Sequence, residues 1–145
     1  MRYLKKALEP DEFQKVVFLD ATSEDLLNSS GAGLFINIDS MAEMEVDVAK
    51  NYLALIDQKG SLFYSCNPIG KYHPSMIGIQ EINELDLVDV YSLGLCREII
   101  DVFDNTALAI ARNKYLTEYR PSENWRVLKS EVSLPWKYYH HVLYK

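Results

Sequence analysis

No stretch of the sequence approaches the roughly 20 consecutive apolar residues that cross a bilayer, so no membrane span is expected. The opening residues MRYLKKALEPDEF are basic, yet acids begin before any apolar segment follows. They therefore do not read as a secretory signal, and the cytoplasm is the expected compartment. Cysteine is scarce. Cys66 and Cys96 show no CxxC spacing, and the three histidines, His73, His140 and His141, show no HxxxH spacing. A zinc-type site would need ligands converging from separate regions, so neither metal nor cofactor is expected. Both thiols are expected to be buried as small hydrophobes.

Glycine is sparse as well, and the few present do not form a phosphate cradle. Gly31 and Gly33 in SSGAGLF precede a strand-like run, whereas a dinucleotide loop follows a strand and opens a helix. Gly70 and Lys71 fail the P-loop spacing because Ser65 stands where the first glycine belongs. No G-x-S-x-G elbow surrounds a serine, and no short catalytic signature surrounds either cysteine. Cys66 and His73 lie seven residues apart across a loop, with nothing else to suggest a nucleophile and its base. Catalysis is not the expected role.

Positive charge is the remaining shortage, and it is uneven. The net charge of −6 combines 18 acids against 8 bases in residues 1–111 with 3 acids against 7 bases in residues 112–145. Four acids and no base lie between Asp39 and Asp47; seven acids, opposed by Arg97 alone, lie between Glu81 and Asp104. Such a surface repels nucleic-acid phosphates and attracts basic proteins over a Debye length of roughly 8 Å. Direct nucleic-acid binding is not expected. The cationic segment 112–145 also offers a route to a homodimer, by facing the acids of a second copy.

What is present is one domain's worth of chain, 145 residues, with 48% hydrophobic and 25% charged residues. That is ordinary for a globular protein, and a single domain over residues 1–145 is the simplest organisation. Pro10, Asp11 and Glu12 open a helix. TSEDLLNSSG reads as a short helix, GLFINI (33–38) as a strand, and Ser40 with Glu43 as the cap of a helix reaching about Lys50. YLALI and SLFYSC, separated by DQKG, predict a central β-hairpin over about residues 52–66. MIGIQEI suggests another strand. Leu95, Ile99, Val102 and Phe103 recur at helical spacing, so the longest helix is expected within 93–119. WRVLKSEVSL predicts a strand or bulged pair, and PWKYYHHVLYK a last amphipathic segment. Helices mixed with a local hairpin favour an α+β fold with a mostly antiparallel sheet.

The stretch EINELDLVDVY (81–91) concentrates the functional argument. Ile82, Leu85, Leu87, Val88 and Val90 suffice to bury one side, which leaves Glu81, Glu84, Asp86 and Asp89 to water. Like charges at helical spacing cost a little stability, so the group serves either as plain solubility charge or as a docking surface. Asp101 and Asp104 extend it. Ten tyrosines against five phenylalanines supply amphipathic contact area, with Tyr91 the expected aromatic anchor. The expectation is an acidic protein-binding inhibitor module of the bacterial immunity or antitoxin type. It would neutralise a basic partner, such as a toxin nuclease, by occlusion. The alternative is a small enzyme or ligand-binding domain with its site near His73 and the acidic segment 81–91.

Overall fold

The computed structural model describes residues 9–15, 17, 33–81 and 83–145, with residues 84–86 described by their backbone alone. The chain divides into two compact units, Met1–Ser30 and Gly31–Lys145. In the first, α1 (Pro10–Phe13) begins as expected, with proline at its start and a capping box between Glu9 and Glu12. The expected helix at TSEDLLNSSG lies outside the described residues.

The second unit is α+β. Its elements run β1 (Phe35–Ile38), a 3₁₀ turn (Met41–Glu43), α2 (Val46–Lys59), β2 (Phe63–Pro68), a second 3₁₀ turn (Pro74–Ile77), α3 (Glu84–Ser92), α4 (Asn105–Glu118), β3 (Val127–Val132) and β4 (Tyr139–Tyr144). The four strands form one mixed sheet in the order β1-β2-β4-β3. β1 pairs with β2 in parallel, while β4 runs antiparallel to both β2 and β3. The expected irregularity in β3 is present as a register shift between Val127 and Lys129.

The predicted central hairpin at 52–66 does not form. YLALI belongs to α2, because Ala49, Leu53 and Ile56 fall at i, i+4 and i+7 and are all buried on one helix face. DQKG is then the end of α2 and the turn into β2. A parallel β1–β2 pair requires a crossover, and α2 provides it. The predicted strand at MIGIQEI is replaced by the second 3₁₀ turn, which ends at Gly78 in the left-handed region. The last amphipathic segment is the strand β4: its exposure alternates residue by residue from Tyr139 to Tyr144.

The sheet's inner face carries Phe63, Ser65 and Asn67 from β2 and His140, Val142 and Tyr144 from β4, all buried. Leu53 and Ile56 of α2 and Leu108, Ala111 and Tyr115 of α4 join Phe63, Val142 and Tyr144 in one core cluster. Two polar groups enter that core with partners. The Tyr115 hydroxyl lies 2.7 Å from Ser65 Oγ and accepts the Asn67 backbone N–H at 3.1 Å. α4 lies within the expected 93–119 and matches α2 at 14 residues. Residues 93–104 are not helical. Leu95, Cys96 and Ile100 are buried there by an extended segment tied to Lys71, whose N–H donates to Glu98 O and whose carbonyl accepts from Ile100 N.

Candidate functional site

β1 and β2, being parallel, end on the same side of the sheet, and the carboxyl ends of such strands are where α/β arrangements leave crevices. Past Ile38 the backbone turns sharply through Asp39, at φ 63°. Aspartate tolerates this left-handed conformation better than most residues. Asn37 fixes the turn: its Nδ2 donates to Ser40 Oγ at 2.5 Å, and its Oδ1 accepts from Asn67 Nδ2 at 2.8 Å and Met41 N at 3.4 Å. Asp39 is thereby held where its Oδ1 accepts the Tyr139 hydroxyl at 3.0 Å. Burial, then the nearby Asp39 carboxylate, pushes the Tyr139 pKa up to about 12, so the phenol keeps its proton.

A cleft of about 450 Å³ opens at this end of the sheet. Asp39 and Glu43 line one part of it, Lys71, Tyr72, Tyr138 and Tyr139 another, and Leu87, Val90 and Tyr91 of α3 a third. Lys71 Nζ donates to the Ala42 carbonyl at 3.1 Å, and burial lowers its pKa despite the opposing pull of Glu43. Tyr91 donates its hydroxyl to the Tyr72 carbonyl at 3.3 Å, which anchors α3 over the cleft. Tyr138 is buried and donates to the Gly70 carbonyl.

A second cleft, about 310 Å³, is lined by Val102, Phe103, Asn105, Trp136 and Tyr138 among others. Tyr138 belongs to both clefts, and Tyr72 of the first stands edge-on to Trp136 of the second at 6.4 Å. The two clefts therefore adjoin across a ridge of aromatic rings.

None of the acids singled out between Glu81 and Asp104 is among the described residues lining either cleft, and they have different roles. Glu81 is exposed ahead of α3, and Asp89 is exposed on it; Glu84 and Asp86 lie on the same helix. Tyr91 is half-buried and lines the larger cleft. Asp101 and Asp104 are exposed too, yet each serves the backbone. Asp101 accepts the Phe103 N–H at 2.8 Å, and Asp104 caps α4 by accepting the Thr106 N–H at 2.7 Å. Among the described residues none of Asp39, Glu43, Glu81, Asp89, Asp101 and Asp104 forms a salt bridge. Lysines of the cationic segment 112–145 are engaged elsewhere: Lys114 with Glu98 at 2.6 Å, Lys129 with Glu131 at 2.9 Å, and Lys137 with Asn105 at 3.2 Å.

Comparison with family models, curated proteins and solved structures found no match. What the site can do therefore rests on its own chemistry.

Nucleophilic catalysis is poorly served. Cys66 has His141 as its neighbour rather than His73, with Sγ 3.9 Å from Nε2, while the Tyr64 hydroxyl lies 2.6 Å from His141 Nδ1. The order of groups imitates a nucleophile, base and orienter. Burial and then Asp39 raise the Cys66 pKa, however, which holds it as thiol where catalysis needs thiolate. Cys96 is also buried, and burial pushes it up to about 12. His73 is committed to its turn, with Nδ1 2.7 Å from Ser75 Oγ and accepting the Ser75 N–H at 3.3 Å. Among the described residues no three His, Cys, Asp or Glu side chains converge as a metal site would require. No described helix is long and apolar enough to cross a membrane.

Sequence reasoning picked out Tyr91 and the α3 acids but not Asp39, Tyr72, Tyr138 or Tyr139 as site residues. Asp39 directly follows the strand-like GLFINI, and that position at a strand's carboxyl end was the available signal. The tyrosines gave none, because only the pairing of β4 with β2 brings Tyr139 beside Pro68.

Proposed function

We propose that this chain is an acidic protein-binding module that occludes a basic partner, in the manner of a bacterial immunity or antitoxin protein covering a toxin nuclease. One observation carries the reading. Exposed apolar side chains gather at two adjoining clefts, with Ile79 and Val90 at the larger and Phe103 and Trp136 at the smaller, and the carboxylates of Asp39 and Glu43, without ion pairs among the described residues, line the larger. An exposed apolar patch rimmed by polar groups is the composition of a docking surface. Glu81, Glu84, Asp86 and Asp89 steer a cationic surface inward, with Asp101 and Asp104 as secondary contacts; Tyr91 and the aromatic ridge slow its release. The partner contributes a basic protein surface. Two free, buried cysteines favour a reducing compartment, and the cytoplasm is the proposed site of action.

The test is association with the product of an adjacent gene, followed from low to physiological ionic strength. The association rate should fall steeply with salt. The double variant Glu81→Lys, Asp89→Lys should slow association by about tenfold or more and flatten the salt dependence, while its unfolding midpoint stays near that of the parent. Salt-indifferent association, or an adjacent product with no toxic activity to block, would sink the reading.

A further inference from the structure

Docking by charge needs only acids on an open surface, but the larger cleft contains more than that. Three of its tyrosine rings stand nearly at right angles to their neighbours. Tyr72 and Tyr138 are 5.0 Å apart at 85°, and Tyr138 and Tyr139 are 5.7 Å apart at 85°. Tyr72, Tyr138 and Tyr139 thus give the cleft an aromatic wall, and aromatic rings attract cations. Two carboxylates, Asp39 and Glu43, line the same cleft. Asp39 accepts the Tyr139 hydroxyl through Oδ1, and its other oxygen has no partner among the described residues. Among the described residues of the lining the one cation is Lys71, which is turned to a backbone carbonyl, and two carboxylates against one ammonium leave the lining negative.

We propose that this cleft is a receptor for one guanidinium group, an arginine side chain presented by the basic partner. The inference rests on the docking reading for the source of that arginine. A planar guanidinium can stack on a tyrosine face while its N–H fork meets a carboxylate. A compact, strongly hydrated ammonium gains less from the same walls. The volume of about 450 Å³ admits such a side chain.

The experiment is an NMR titration of the full chain with three blocked tripeptides, Gly-Arg-Gly, Gly-Lys-Gly and Gly-Gln-Gly. The arginine peptide should give saturable shifts at Asp39, Tyr72 and Tyr139, the lysine peptide weaker ones, and the glutamine peptide none. Asp39→Asn keeps a residue suited to the left-handed turn and an oxygen for the Tyr139 hydroxyl, but removes the charge. It should weaken arginine-peptide binding about tenfold or more. Lys71→Met should tighten it, and Glu123→Gln, exposed and outside both clefts, should leave it unchanged. Equal shifts with arginine and glutamine peptides, or indifference to both Asp39→Asn and Lys71→Met, would overturn the proposal. If the arginine peptide is not taken up while partner association keeps its salt dependence, the receptor is wrong and the docking reading stands. If the peptide binds but no basic partner does, the docking reading is wrong and the receptor stands.

Discussion

Asp39 unites two demands that separate under substitution. Its backbone sits in the left-handed region, and its side chain holds Tyr139. Asp39→Ala should destabilise the chain by about 1–2 kcal/mol, because an ordinary side chain strains there. Asp39→Asn should cost much less, and urea unfolding of the two variants tests the contrast. His140 makes a different prediction. It is buried on the inner face, with Nε2 2.7 Å from Ser130 Oγ, and burial, then Arg112 and His141, lower its pKa to about 4. The folded chain thus holds this imidazole neutral, whereas the unfolded chain binds a proton near the ordinary value of about 6.5. Its contribution is present above that value and is lost as pH falls toward about 4. The urea midpoint should therefore drop between about pH 7 and about pH 5 by more in the parent than in His140→Gln. Equal drops would mean that groups other than His140 set the acid limit. Asp104 carries a warning at the same scale. As the cap of α4 it should cost about 1 kcal/mol on mutation to alanine, so its charge reversal would mix folding with docking. Asp89 is the cleaner probe.

At the scale of elements, the period of the apolar residues was ambiguous where it mattered. Leu53, Leu55 and Ile56 fit either a buried strand or a helix face. Packing of Ala49, Leu53 and Ile56 into the core decided for α2, and thereby made β1 and β2 parallel. The helical spacing of residues 95–103 misled for the converse reason: Leu95, Cys96 and Ile100 are buried by an extended segment hydrogen-bonded to Lys71. Gly94 marks its start. It sits at φ 77°, donates its N–H to the Met44 carbonyl at 2.8 Å, and would place any Cβ 2.8 Å from the Ala42 carbonyl oxygen. Gly94→Ala should cost about 1–3 kcal/mol through strain and collision together. Truncating Leu108, which is 1% exposed on the buried face of α4, should cost about 2–5 kcal/mol as alanine. Thermal or urea unfolding checks both. β3 was legible as a short β-prone run, although as an edge strand it is exposed along nearly its whole length.

For the whole molecule, the arrangement of charge matters more than its total. The −6 balance was plain in the sequence, as were the cationic final quarter and the clustering of acids between Glu81 and Asp104. That Lys114 and Lys137 find partners at Glu98 and Asn105 was not, since those contacts join residues 16 and 32 positions apart. The attraction of exposed acids such as Asp89 on α3 and Asp39 and Glu43 at the larger cleft should be screened by salt.

The sequence alone determined the α+β class, the acidic balance, burial of both cysteines and the strand at 127–132, because each follows from composition or local pattern. The tertiary structure alone decided that α2 crosses between parallel strands and that residues 93–104 form no helix. It also brought Asp39, Tyr72, Tyr138 and Tyr139 around one cleft. Those outcomes depend on contacts between residues distant in the chain, which no window of neighbouring side chains encodes.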